Sequence, residues 1–161
     1  MALRALLFLL PLAAFLVEGS AQSHPLVVKG RVFCDACHAG HFSRSSFYLA
    51  GAKVGVQCGS SQGHVTAYVE GKTGPNGEFS LPVGGEHEGE YCVALVLHSP
   101  HPTCNLLSQH GAFATVLLTR NAGLADDVIN TGPFAFTPNR LASFCASEVA
   151  TEEGSNILGG E

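Results

Sequence analysis

The chain has 161 residues, six cysteines, no tryptophan and a formal net charge of −5 with neutral histidines. That length holds one ordinary domain with its own core, and the acidic balance excludes nucleic acid as a partner, since duplex binding needs clustered basic charge. Residues 1–21 read as a secretion signal: Arg4 supplies the positive start, residues 5–17 an apolar run broken by Pro11, and Gly19-Ser20-Ala21 a small-residue cleavage site. The apolar run is shorter than the roughly 20 residues that cross a bilayer, so no membrane span is expected after cleavage and the protein is expected outside the cell. Cleavage removes Arg4 and Glu18 and leaves the net charge at −5.

Beyond the signal the apolar pattern has period two, in short runs punctuated by glycine, proline and asparagine, which predicts an all-β chain. In the first strand Lys29 and Arg31 alternate with Val28, Val32 and Cys34; in the second Lys53 and Gln57 alternate with Ala52, Val54, Val56 and Cys58. Further strands are predicted at 65–69, 78–81, 91–98, 113–119 and 132–137, the fifth and sixth of the seven being apolar on both faces. Seven short strands predict an antiparallel β-sandwich or small barrel. Pro75-Asn76-Gly77 predicts a tight hairpin turn, because Asn and Gly tolerate positive φ. The expected organisation is a signal at 1–21, one β domain at 22–146 and an acidic flexible tail at 147–161.

An even cysteine count in an exported chain of this size predicts a three-bridge framework, and the sequence alone leaves fifteen pairings open. Other short motifs carry less. Cys34-Asp35-Ala36-Cys37-His38 satisfies the spacing for c-type haem attachment, but it continues a strand and the only methionine is Met1. A redox role for the same pair lacks the βαβ pattern that would accompany it. Cys34, Cys37, His38 and His41 have zinc-like spacing, but zinc there would leave Cys58, Cys92, Cys104 and Cys145 with only two bridges, and an oxidising compartment favours the disulfides. Gly59-Ser60-Ser61-Gln62-Gly63 matches a nucleophile elbow in letters yet joins two predicted strands, and Glu86, Glu88 and Glu90 read as solvated carboxylates of a polar loop. No catalytic residue and no cofactor is expected.

The combination Val28-x-Gly30-x-Val32-Phe33-Cys34-Asp35-x-Cys37-x-Ala39-Gly40, then Ala50-Gly51-Ala52-Lys53-Val54 before Cys58, Glu90-Tyr91-Cys92, and Ser99-Pro100 leading to Cys104-Asn105, resembles the pollen Ole e 1 allergen and extensin-like family of plant secreted proteins. The resemblance covers nearly the whole mature chain and follows the order and spacing of all six cysteines. It implies a seven-stranded β fold with Cys34 joined to Cys104, Cys37 to Cys145 and Cys58 to Cys92. The chain departs from the family at Phe134-Ala135-Phe136-Thr137-Pro138-Asn139-Arg140, where members commonly carry Phe-Phe and a basic pair.

The expected function is a non-enzymatic extracellular module of the cell wall or apoplast. Its expected partners are wall polysaccharide, arabinogalactan- or extensin-type glycoprotein, or a surface receptor, met through the loops at 39–49, 84–89, 99–109 and 120–127. Arg44, Phe47 and Tyr48 are the candidate binding surface. Protease inhibition is the alternative, through a bridge-stiffened loop, and a secreted hydrolase comes after it. Full protonation of the eight histidines would move the charge from −5 toward +3, so attraction to acidic wall polymer is expected to rise as pH falls.

Overall fold

A computed structural model describes residues 24–123 and 125–145. The predicted signal at 1–21 and tail at 147–161 lie outside the described residues. The chain forms ten strands: β1 (Leu26–Cys34), β2 (Phe47–Tyr48), β3 (Lys53–Gly59), β4 (Val65–Lys72), β5 (Glu78–Val83), β6 (Tyr91–His98), β7 (Cys104–Leu107), β8 (Phe113–Val116), β9 (Val128–Asn130) and β10 (Phe134–Pro138). They make two sheets, one of six strands built around β1 and one of four in the order β4-β3-β6-β8.

The nine-residue β1 is the spine of the larger sheet and changes partners midway. Residues 26–31 pair antiparallel with β5 while residues 27–29 pair parallel with β9 on the other side. Residues 32–34 then pair parallel with β10, and Phe33 and Cys34 pair antiparallel with β2. The all-β, disulfide-stapled prediction therefore holds, with two corrections. The strand count is ten rather than seven, because β2, β7 and β9 are only two to four residues long and fall below what an alternation pattern can mark. Two pairings with β1 are parallel, a consequence of chain crossovers that local sequence does not encode.

The core lies between the sheets. Leu26, Val28, Val32, Phe79, Leu81, Val83, Phe134 and Phe136 come from one side, and Val54, Val56, Cys58, Cys92, Ala94, Val96 and Val116 from the other. Alternation explains the selection, since residues two apart on a strand share a face. Burying each Val, Leu or Phe side chain contributes roughly 1.5–3 kcal/mol relative to leaving it exposed.

Two turns show how the same local signal serves different ends. At residues 60–63 the Gly63 N–H donates to the Ser60 carbonyl at 2.9 Å, and β3 and β4 continue as a paired hairpin, so the nucleophile-like motif is a hairpin loop. At residues 74–77 the Gly77 N–H donates to the Gly74 carbonyl at 2.9 Å and Gly77 has φ +70°. The turn predicted at Pro75-Asn76-Gly77 is there, but it carries the chain from one sheet to the other: β4 pairs with β3 and β5 pairs with β1. The expectation of a hairpin is thus corrected: the turn is tight, but the strands it joins do not pair with each other.

The sixth predicted strand also ends differently. On β8 Phe113 stays 68 % exposed, and it shares the outward face of the smaller sheet with Tyr68 and Tyr91. Apolar character on both faces of this strand reflects an uncovered outer surface rather than a second buried one.

Candidate ligand-binding cleft

The alternation of β1 turns Lys29 and Arg31 away from the core, and the β5 register sets Arg31 opposite Glu78 and Lys29 opposite Ser80. Arg31 Nε donates to Glu78 Oε1 at 3.0 Å, and its Nη2 donates to the same oxygen. Arg31 Nη1 donates to the Tyr48 hydroxyl at 3.2 Å, while the guanidinium carbon lies 5.2 Å from the centre of the Tyr48 ring. The Glu78 hydrogen bond, and after it the Tyr48 hydroxyl, raise the Arg31 pKa further above its ordinary value. The guanidinium remains charged throughout the accessible pH range.

Tyr48 is also a stacking partner. Its ring lies 4.7 Å from that of Phe42 at an interplanar angle of 29°, and Phe42 in turn packs against buried Phe33 at 5.4 Å. The Phe42 and Tyr48 rings, with Lys29, Arg31 and Glu78 and the 130–133 segment that begins at the last residue of β9, line an open cleft of about 800 Å³. Its floor is Gly30, where an added Cβ would stand 2.6 Å from the Thr131 carbonyl oxygen and 2.7 Å from Phe79 Cζ. Only a residue without a side chain lets β5 and the 131–133 segment close around β1 at that point.

Two polar devices hold the aromatic wall in place. Asp35 is buried at the start of the loop that carries Phe42, and its two carboxylate oxygens accept the Ala39 N–H at 2.9 Å and the Gly40 N–H at 2.7 Å. On the other side of Tyr48, buried Thr73 donates its hydroxyl to the Leu49 carbonyl and accepts the Ala52 N–H at 2.9 Å. The Gly51 N–H adds a bond to the Thr73 carbonyl at 2.9 Å. The motif around Ala50-Gly51-Ala52 thus fixes where β2 ends and therefore where Tyr48 stands.

The three residues expected to form one binding surface are separated. Phe47 and Tyr48 are neighbours in β2 and point to opposite sides, as strand geometry requires. Tyr48 enters the cleft with Phe42, whereas Phe47 packs 5.0 Å from His101 in a second depression of about 550 Å³ that also includes Pro102, Pro138 and Arg140. Arg44 is exposed and lines neither. The sequence reading missed Phe42, Arg31, Glu78 and Lys29. The outward positions of Lys29 and Arg31 were visible in the alternation, but the 47-residue separation between Arg31 and Glu78 placed their meeting beyond any local pattern.

The cysteines are bonded as Cys34–Cys104, Cys37–Cys145 and Cys58–Cys92. Cys34 and Cys37 therefore offer no thiolate to zinc or haem. A second polar cluster places Cys58, Cys92, His87 and Glu90 with ligand atoms within 4.8 Å of one another, and there too the sulfurs are bonded to each other. His87 is buried, with Nδ1 2.8 Å from Glu90 Oε2 and Nε2 3.0 Å from the Gly84 carbonyl oxygen.

Glu86 and Glu88 are exposed, as the polar-loop reading expects, and Glu90 is partly buried; all three also have partners. Glu86 lies 3.6 Å from Arg120, Glu88 accepts from Asn121 Nδ2 at 2.6 Å, and Glu90 accepts from the Thr66 hydroxyl. Hydrogen bonds from Thr66 and then His87 hold the Glu90 carboxyl below the ordinary carboxylate range. A depressed folded-state pKa gives stability that is present above the unfolded value, about 4.3, and is lost as pH falls through the folded one. Glu90→Gln is therefore expected to lower the urea midpoint at about pH 6, with the gap from the parent closing in more acid buffer. A gap that stays constant down the pH series would show that the ionised carboxylate is not what holds this loop.

Both the chain and its fold have known counterparts. The family described as Pollen protein Ole e 1 like matches residues 24–152. Pollen-specific protein C13 of Zea mays is 31 % identical over 122 residues, covering 75 % of this chain and 72 % of its own. Protein DOWNSTREAM OF FLC of Arabidopsis thaliana is 34 % identical over 120 residues, covering 72 % of this chain and 68 % of its own. The crystal structure of the major plantain pollen allergen Pla l 1 resembles this fold with a TM-score of 0.62 at 27 % identity, covering 73 % of this chain and 96 % of that one.

Proposed function

This chain belongs to the family of Ole e 1-like pollen proteins of plants, and from that premise we propose that it is a secreted, non-enzymatic module that holds a cell-wall saccharide, free or on a glycoprotein, in the Phe42–Tyr48 cleft. The stacked pair carries the reading. Aromatic faces pack against the apolar faces of pyranose rings, and the polar rim of Arg31, Glu78, Ser80 and Asn130 offers donors and acceptors to hydroxyl groups. The chemistry favours binding over cleavage. Glycoside hydrolysis uses two carboxylates on opposite sides of the scissile bond, whereas Glu78 is the one carboxylate among the described lining residues and is occupied by Arg31.

Secretion is supported by the signal-like start and by three cross-links that an oxidising compartment sustains. Recognition by a cleft on a stapled scaffold needs little rearrangement, which limits the ordering cost of binding.

Tyr48→Ala is expected to weaken binding of wall-derived oligosaccharides by about tenfold or more, read by calorimetric titration of the oxidised protein. Phe47→Ala, one residue away on the opposite side of the strand, is expected to leave that affinity within about twofold. Equal losses for the two variants would show that the cleft is not the binding site.

A further inference from the structure

We infer that the cleft selects a saccharide carrying a carboxylate, a chain that contains uronic acid, and that Lys29 meets that carboxylate. This inference rests on the cleft being a saccharide site and adds the ligand's charge and the residue that reads it.

The cations of the fold are unequally engaged. Arg31 is held by Glu78 and Tyr48, Lys53 by Glu70, and Arg120 by Glu86 and Asp127. Lys29 makes no ion pair among the described residues, yet it stands on β1, the central strand of its sheet, at the lining of the cleft. Its neighbours across the ladders are Ser80 of β5 and Asn130 of β9, both neutral and both able to hydrogen-bond a hydroxyl or carboxylate. The charged lining residues are therefore Lys29 and Arg31 against Glu78, a net +1. The chain as a whole carries −5. A local inversion of sign on an acidic protein favours an anion at this place.

The spacing fits one sugar unit. Lys29 and Arg31 are two residues apart on one strand, about 7 Å, and Arg31 lies over Tyr48. A pyranose ring packed against the exposed part of the Phe42–Tyr48 wall, beside Arg31, presents a carboxylate at its edge within the reach of a lysine side chain. The other anion in the cleft, Glu78, does not oppose this, because two guanidinium nitrogens of Arg31 already donate to it.

The test is titration of the full chain, its three disulfides intact, with an oligomer of galacturonic acid, with the same oligomer fully methyl-esterified, and with an oligoglutamate peptide. The acid oligomer is expected to bind about tenfold more tightly than its ester, and that advantage is expected to fall with added salt. Lys29→Gln is expected to bring the affinity for the acid form down to that for the ester; Lys29→Arg is expected to keep most of the difference. Equal affinity for acid and ester, or a Lys29→Gln variant that keeps the preference, overturns the selectivity and leaves the cleft as a neutral-saccharide site. Binding of neither oligomer at millimolar concentration overturns the saccharide reading with it. Oligoglutamate bound as tightly as the acid sugar shows an anion site that does not recognise saccharide, and also overturns the inference.

Discussion

Replacing Cys37 and Cys145 together by alanine is expected to lower the free energy of unfolding by about 4–5 kcal/mol, read as a fall in the urea midpoint near neutral pH. The two residues are separated by 108 positions, the longest span of the three bridges, and the loop-closure entropy removed from the unfolded chain grows with the logarithm of that span. Removing Cys58 and Cys92, 34 positions apart, is expected to cost about 1 kcal/mol less on the same argument. The comparison separates two accounts. Cys58 and Cys92 face each other directly across β3 and β6 and are 0 % and 1 % exposed, against 5 % and 3 % for Cys37 and Cys145. If native packing around the sulfurs decided stability, their loss would be the more damaging. A larger fall for the Cys58–Cys92 pair would therefore reject the chain-entropy explanation. Either loss is a large fraction of the roughly 5–15 kcal/mol by which a domain of this kind is stable.

Gly77→Val is expected to destabilise the fold by about 3 kcal/mol or more, through conformation and space acting together. Gly77 has φ +70°, a region that β-branched residues strongly avoid. A Cβ there would also stand 2.4 Å from the Val32 carbonyl oxygen and 3.0 Å from Tyr48 Cβ. Neither neighbour can yield cheaply. The Val32 carbonyl accepts the Leu49 N–H at 3.0 Å, and the Val32 N–H donates to the Gly77 carbonyl at 2.8 Å, so the position joins β1, β2 and the turn into β5. Gly63 provides the control. It has φ +83° but nothing within 4 Å of where a Cβ would stand, so Gly63→Ala is expected to cost only about 1 kcal/mol, the contribution of the backbone conformation alone. Similar losses at the two sites would show that the contact with β1 and Tyr48 carries no weight. Because Gly77 touches Tyr48, its replacement is also expected to weaken whatever binding Tyr48→Ala weakens.

How far the sequence reached depends on the range of the interaction concerned. Alternation on β1 and β3 assigned Val28, Val32, Val54 and Val56 to the core, because a half-buried strand imposes period two on its own residues. Asn76-Gly77 marked a turn, because positive φ is a local demand that few residues meet. The short strands β2, β7 and β9 left no such mark. Their residues are strands only because a neighbouring edge of β1 or β10 offers hydrogen bonds, which is why loops expected at 39–49 and 99–109 contain Phe47–Tyr48 and Cys104–Leu107.

The cleft divides the same way. Tyr48 could be picked out as an aromatic in a connecting segment, but its company could not. Phe47 is next to it in sequence and faces elsewhere, whereas Arg31 reaches it from 17 positions away and Glu78 joins through Arg31 from 47 positions away. By itself the sequence determined the β character, the turn positions, the cysteine framework and, through the resemblance those residues carry, the family. Each of these is written in spacing along the chain. The tertiary structure alone decided which strands pair in parallel, that the 74–77 turn passes between sheets, and that Lys29, Arg31, Phe42, Tyr48 and Glu78 line one cleft. Those outcomes depend on contacts between residues distant in sequence, and such contacts impose no periodicity on the segments that make them.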